Sequence, residues 1–127
     1  MSTDPGMLEF WTERHLCTLT TLRRDGSPHV VPVGATLDLA AGLVRVTSSR
    51  TSAKVRHILA GAQRVAVCQV DGRRWSTLEG LAVIRDDPAS VAEAVRRYTE
   101  RYRAPRENPN RIVIEVSITR TLGTVRP

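Results

Sequence analysis

The chain has 127 residues, 41% of them hydrophobic and 25% charged, which fits one globular domain over 1–127 rather than two. Its 19 Lys and Arg against 13 Asp and Glu leave a net charge of +6, so anionic partners are expected. No apolar run nears the roughly 18 residues of a membrane span, and Met1-Ser2-Thr3-Asp4-Pro5 lacks a basic-then-apolar leader, so the expectation is a cytoplasmic protein with no membrane partner.

The pattern predicts a short helix over Met7 to Arg14, then a strand from Leu16 to Leu22. Arg24-Asp25-Gly26-Ser27 carries the Asp-Gly hairpin signal, and a second strand follows from His29 to Leu37. A turn over Asp38 to Gly42 leads to a third strand, Leu43 to Ser48. Val55, Ile58 and Leu59 recur at helical spacing within Thr51 to Ala60, and Gly61 ends that helix. Strands over Arg64 to Val70 and Trp75 to Arg85 flank the turn at Asp71-Gly72. Asp87-Pro88 supplies an N-cap and a proline at the first helical position. Val91, Val95, Tyr98 and Tyr102 mark one face of the helix that follows, and Pro105 and Pro109 break it. In the last strand, Arg111 to Ile118, the residues Ile112, Ile114, Val116 and Ile118 alternate with Val113, Glu115 and Ser117. Hairpin connections imply antiparallel pairing. The expected fold is mainly β with peripheral helices, a six-stranded antiparallel barrel, closed or nearly so.

Lys54 is the only lysine among those 19 cations. It follows Ser48, Ser49, Arg50 and Ser52 where a strand end turns into a helix. Hydroxyls, free backbone N–H groups and a compact cation suit a phosphate; the plainer reading is a solvated helix residue. Cys17 and Cys68 lie in apolar strands without CxxC spacing, which points to free thiols and no metal site. Only five aromatics are present, with no zinc-finger or RNA-binding signature, so no nucleic-acid partner is expected. Paired carboxylates, a nucleophile–His arrangement and metal-ligand spacing are also missing. His29 reads as a strand residue hydrogen-bonded to a neighbour, Glu79 as a paired structural charge, and the Arg-rich helix from Arg96 to Arg103 as a solvated face.

Several segments carry a family resemblance: Arg14-His15-Leu16, Leu19-Thr20-Thr21-Leu22, Ser27-Pro28-His29-Val30-Val31, Gln69-Val70-Asp71-Gly72, Arg74-Trp75, Leu78-Glu79-Gly80 and Arg97-Tyr98 through Pro105-Arg106. The chain resembles the split β-barrel flavin and deazaflavin oxidoreductases of the pyridoxamine 5′-phosphate oxidase superfamily. Within them it is most similar to the biliverdin reductases that use coenzyme F-420. The resemblance implies a homodimer with the cofactor at its interface. It implies hydride transfer from the deazaflavin C5 to a small-molecule conjugated acceptor, a biliverdin-like tetrapyrrole being favoured. It places the cofactor phosphate at Ser48, Ser49, Ser52 and Lys54, with Arg50 beside them. The ring is placed along Pro32, Val33 and Gly34, with Trp75 as a wall. Ala35, where relatives carry an aromatic, is expected to open the groove. An FMN-dependent oxidase or reductase of the same fold, or a non-catalytic cofactor-binding protein, are the alternatives.

Overall fold

The computed structural model describes residues 5–125. Its elements run α1 (Pro5–Thr12), β1 (Cys17–Leu22), β2 (Pro28–Val33), β3 (Ala35–Asp38), β4 (Leu43–Ser49), α2 (Ala53–Leu59), β5 (Arg64–Asp71), β6 (Arg74–Arg85), α3 (Pro88–Arg101) and β7 (Arg111–Gly123). The strands form one antiparallel sheet in the order β2-β1-β5-β6-β7-β4-β3. Its two outer members, β2 and β3, are consecutive in the chain, joined at Gly34. The sheet therefore curls so that one bent segment serves both of its ends, as a split barrel requires. Seven strands stand where six were expected because Gly34 divides the predicted second strand. A Cβ at Gly34 would lie 2.7 Å from Tyr98 Cε2 and 3.2 Å from Tyr102 Cε2. Any larger residue there would have to push the two tyrosine rings aside.

Alternation along β6 is regular: Ser76, Leu78, Gly80 and Ala82 are buried while Trp75, Thr77, Glu79 and Leu81 are not. Leu19, Val44, Val46, Val67, Leu78, Ile112, Ile114 and Val116 fill the interior, each fully buried. In β7 the expected inward set is seen, but Val113 on the other face is buried too. A bulge interrupts the β6–β7 ladder, Glu79 facing Arg120 and Gly80 facing Ile118, so Thr119 is the extra residue.

The helix α1 is too short to be stable alone. It is held because Met7, Phe10 and Trp11 are buried, each side chain contributing about 1.5–3 kcal/mol. Trp11 Nε1 donates to Ser76 Oγ at 3.0 Å, so the indole is a core residue rather than an outside patch. The predicted cap of α3 is present: Asp87 accepts from Ser90 N at 3.0 Å and Pro88 starts the helix. Its fully buried residues are Ala94 and Arg101, whereas Val91, Val95 and Tyr98 of the predicted face are only partly covered. Both cysteines are free, Cys17 buried and Cys68 partly exposed. Among the described residues no helix is long and apolar enough to cross a membrane.

Candidate functional site

At the end of β4 the chain turns into α2 through Arg50, Thr51 and Ser52. Strand alternation sends consecutive serines to different partners. Ser48 Oγ lies 2.9 Å from Ser52 Oγ across the turn. Ser49 Oγ instead accepts from Asn108 Nδ2 at 2.8 Å. Backbone bonds fix the turn: Ser52 N donates to Ser49 O at 3.0 Å and Arg50 N to Asn110 O at 2.9 Å. The loop before β7 thus braces the turn from a distance in sequence that no local pattern reveals. Ser52 caps α2 with extended backbone but no side-chain bond to it, which leaves its hydroxyl for Ser48.

Two residues on, Lys54 is half-buried. Burial alone pulls its ammonium below the usual lysine pKa, and no carboxylate among the described residues acts on it. A desolvated cation without a counter-ion is a costly arrangement, and an anion seated there would relieve it. Arg50 is less available, since its Nη1 lies 3.2 Å from Asp86 Oδ2 in an exposed pair.

The predicted ring-contact segment is divided by its own backbone. Pro32 is exposed, Val33 is buried at 8%, and the space above Gly34 is filled by Tyr98 and Tyr102. Ala35 is fully buried, and its carbonyl accepts from Arg101 Nη1 at 2.6 Å and Tyr102 Oη at 3.0 Å. The expectation that Ala35 opens a surface groove is corrected by this placement: its side chain points into the core.

Trp75 is 38% exposed at the start of β6, paired with Val70. Its N–H donates to Thr124 Oγ1 at 3.0 Å. Ser49 pairs with Arg111 and Ser76 with Gly123, the two ends of the 13-residue β7. That is about 40 Å of strand at ~3.3 Å per residue. Within one chain, then, Trp75 and the serine–lysine turn lie at opposite ends of β7.

The remaining candidates resolve locally. Glu79 faces Arg120 at 3.9 Å, the paired charge expected. His29 departs from expectation: its Nδ1 is buried without a hydrogen bond, and its ring meets His57 edge-on at 5.0 Å between centroids. His57 Nδ1 lies 2.8 Å from Thr21 Oγ1. In the arginine-rich helix, Arg96 pairs with Glu93 and Glu100, and Arg97 with Glu93 and Asp38. Arg101 is no surface cation at all; it is 8% exposed. Glu13, His15 and Asp71 bring potential metal-ligand atoms within 4.8 Å of one another, but Arg74 bonds both carboxylates. Asn108, Arg101 and His57 were not singled out by sequence reasoning, because each acts on residues remote in the chain.

The family model described as pyridoxamine 5′-phosphate oxidase matches residues 3–124. A curated relative from Mycobacterium tuberculosis (strain CDC 1551 / Oshkosh), an F420H(2)-dependent biliverdin reductase, is 50% identical over 118 residues, 92% of this chain and 85% of the relative. Among solved structures, an F420 reductase superposes with a TM-score of 0.75 at 25% identity, covering 96% of this chain and 98% of its own. The conserved hypothetical protein Rv2991 from Mycobacterium tuberculosis gives a TM-score of 0.81 at 22% identity, covering 97% of this chain and 84% of its own.

Proposed function

The chain belongs to the pyridoxamine 5′-phosphate oxidase family, and we propose that it is a reductase dependent on coenzyme F-420, acting on a conjugated acceptor of the biliverdin class. The observation that carries the reading is Lys54, a half-buried ammonium with no counter-ion among the described residues, two positions after Ser52 in the turn that joins the Ser48 and Ser52 hydroxyls. These groups fit the phosphate of a flavin-like cofactor: the bonded Ser48–Ser52 pair keeps one hydroxyl proton free to donate, and Lys54 supplies charge. When bound, reduced F-420 supplies the hydride donor at C5 of its deazaflavin ring. The protein's share is binding and orientation. Ser48, Ser52 and Lys54 would anchor one end, and Pro32 offers exposed apolar surface along β2. The 50% identical relative, named for this cofactor and this acceptor, supports both halves of the proposal.

A homodimer belongs to the same reading. Trp75 and the Lys54 turn lie at opposite ends of β7, which favours a site walled by the Trp75 of a second copy. The test is turnover of reduced F-420 with biliverdin, quinones and enones in parallel, with binding titrations of F-420 and FMN. Tight F-420 binding and biliverdin turnover are expected. Equal or tighter FMN binding would transfer the site to an FMN enzyme.

A further inference from the structure

A second concentration of positive charge borders the serine–lysine turn, touching it where Arg56 Nη1 bonds Thr51 O. It occupies the angle between the β1–β2 hairpin and the outer side of α2. Arg23 and Arg24 enter from the hairpin and Arg56 and His57 from the helix, around a pocket of about 360 Å³. That is room for on the order of ten water-sized groups. Leu22, Ala60 and Ala62 complete the wall.

The hairpin is fixed in the position that presents these arginines. Gly26 has φ +85° and its N–H donates to Arg23 O at 2.9 Å. The one acid in the turn, Asp25, is held by Ser27, whose N–H and Oγ reach Asp25 Oδ1 at 3.0 and 2.6 Å. Arg23 Nη1 donates to Pro28 O at 2.6 Å and Arg56 Nη1 to Thr51 O at 3.0 Å. These are backbone carbonyls, and among the described residues Arg23, Arg24 and Arg56 form no ion pair, although the Asp25 carboxylate is near enough for Arg23 to help hold it below its ordinary value. Behind the pocket His57 rests on Thr21 and against His29. Burial, then His29, Arg23 and Arg56, hold the His57 imidazole below its ordinary pKa. Three arginines and a histidine gathered here outnumber the one carboxylate of the turn, Asp25, and such a surplus of like charge is unfavourable.

We propose that this pocket is a binding site for a small organic polycarboxylate, lined by residues other than Ser48, Ser52 and Lys54 of the phosphate turn. Guanidinium forks pair with planar carboxylates through two parallel hydrogen bonds. Three arginines on two elements suit more than one carboxylate. The apolar wall of Leu22, Ala60 and Ala62 suits the carbon skeleton that joins them. A bare inorganic anion would leave that wall unused. The inference is independent of the cofactor and acceptor proposed above.

The experiment is calorimetric titration of the full chain with citrate and, in parallel, with inorganic phosphate at fixed ionic strength. The imidazole resonances of His57 are followed by proton–nitrogen NMR. Saturable citrate binding is expected, tighter than phosphate, with movement of the His57 signals. Arg24→Gln and Arg56→Gln should each weaken citrate binding about tenfold or more, the loss of one charge-assisted hydrogen bond. Lys54→Ala should leave it unchanged. Arg24 is exposed, so Arg24→Gln tests the site even if Arg56→Gln fails to fold. Absent citrate binding, phosphate binding as tight as citrate, unmoved His57 signals, or loss of citrate binding in Lys54→Ala would each overturn the proposal. So would citrate binding that Arg24→Gln leaves unweakened.

Discussion

Lys54 shows how much a single residue tells before any fold is known, and where that stops. Being the one lysine in an arginine-rich chain marked it, and the structure adds its half-burial and its want of a counter-ion among the described residues. If the ammonium meets the cofactor phosphate, Lys54→Ala removes a charge-assisted bond of about 1.5–3 kcal/mol. Cofactor affinity should then fall roughly 10- to 150-fold while the melting temperature is kept. Calorimetric or fluorescence titration checks this, and unchanged affinity in a folded variant would remove the anchor. Arg101 is the opposite case, since in sequence it was one cation of a solvated helix face. In the structure it donates to Glu13 O, Ala35 O and the Gln69 side chain, and lies 5.4 Å from the Trp11 ring. Nothing local distinguishes it from Arg96 or Arg97, because its partners come from α1 and the loop just after it, β3 and β5. Arg101→Met keeps much of the volume but strands those acceptors, at roughly 1–3 kcal/mol each. Thermal unfolding should drop by on the order of 10 °C; a drop under about 2 °C would show that the network contributes little.

Elements were legible wherever a local rule has one outcome. Asp25-Gly26 and Asp71-Gly72 produced their turns, and Asp87-Pro88 produced its cap. Gly34 was not legible as a break, because a glycine within a strand is also compatible with unbroken pairing. What decides is the pair of tyrosines on α3, over sixty residues away. The β6–β7 bulge was hidden for a like reason: Thr119 is unremarkable until its partner strand is known. Of the phosphate turn, its position and hydroxyls could be read, but not the split of Ser48 toward Ser52 and Ser49 toward Asn108. A Cβ at Gly80, where the bulge begins, would lie 2.1 Å from Ser117 O, a backbone atom that cannot swing aside. Gly80→Ala should therefore cost about 1–3 kcal/mol, seen as a lower denaturation midpoint in urea. A neutral result would mean that the bulge relaxes freely.

The whole molecule carries two further expectations. Val70, Trp75, Leu81 and Leu122 leave apolar surface exposed on β5, β6 and β7, which a second copy would cover. Light scattering at micromolar concentration should give twice the chain mass, and Cys68, partly exposed in one chain, should resist alkylation until dilution separates the copies. A monomer with normal cofactor binding would refute this. The other expectation concerns acid. Glu13, hydrogen-bonded by Arg74 and then His15, is pulled from 4.5 to about 2, and Glu93, bonded by Arg96 and Arg97, likewise to about 2. Carboxylates held down in the folded state stabilise it above their unfolded pKa, and that contribution is lost as pH falls toward the folded one. The urea midpoint should be level above about pH 5 and decline from about 4.5 toward 2. In Glu13→Gln the decline should be shallower; parallel curves would show that this cluster is uncoupled from unfolding.

The position of β7 between β6 and β4 has a consequence for how the chain is made. Synthesis delivers β1 to β6 first, and the hairpins β1–β2 and β5–β6 can form as they leave the ribosome. The β3–β4 pair, however, has no neighbour in the sheet except β7. Until Arg111–Gly123 emerges, two half-sheets wait with open edges and uncovered valines, the species most prone to mispairing. Closing them joins strands distant in sequence, which makes the final step slow relative to the hairpins. This barrel is thus assembled by its last strand, and its vulnerability to aggregation is concentrated in the interval before that strand arrives.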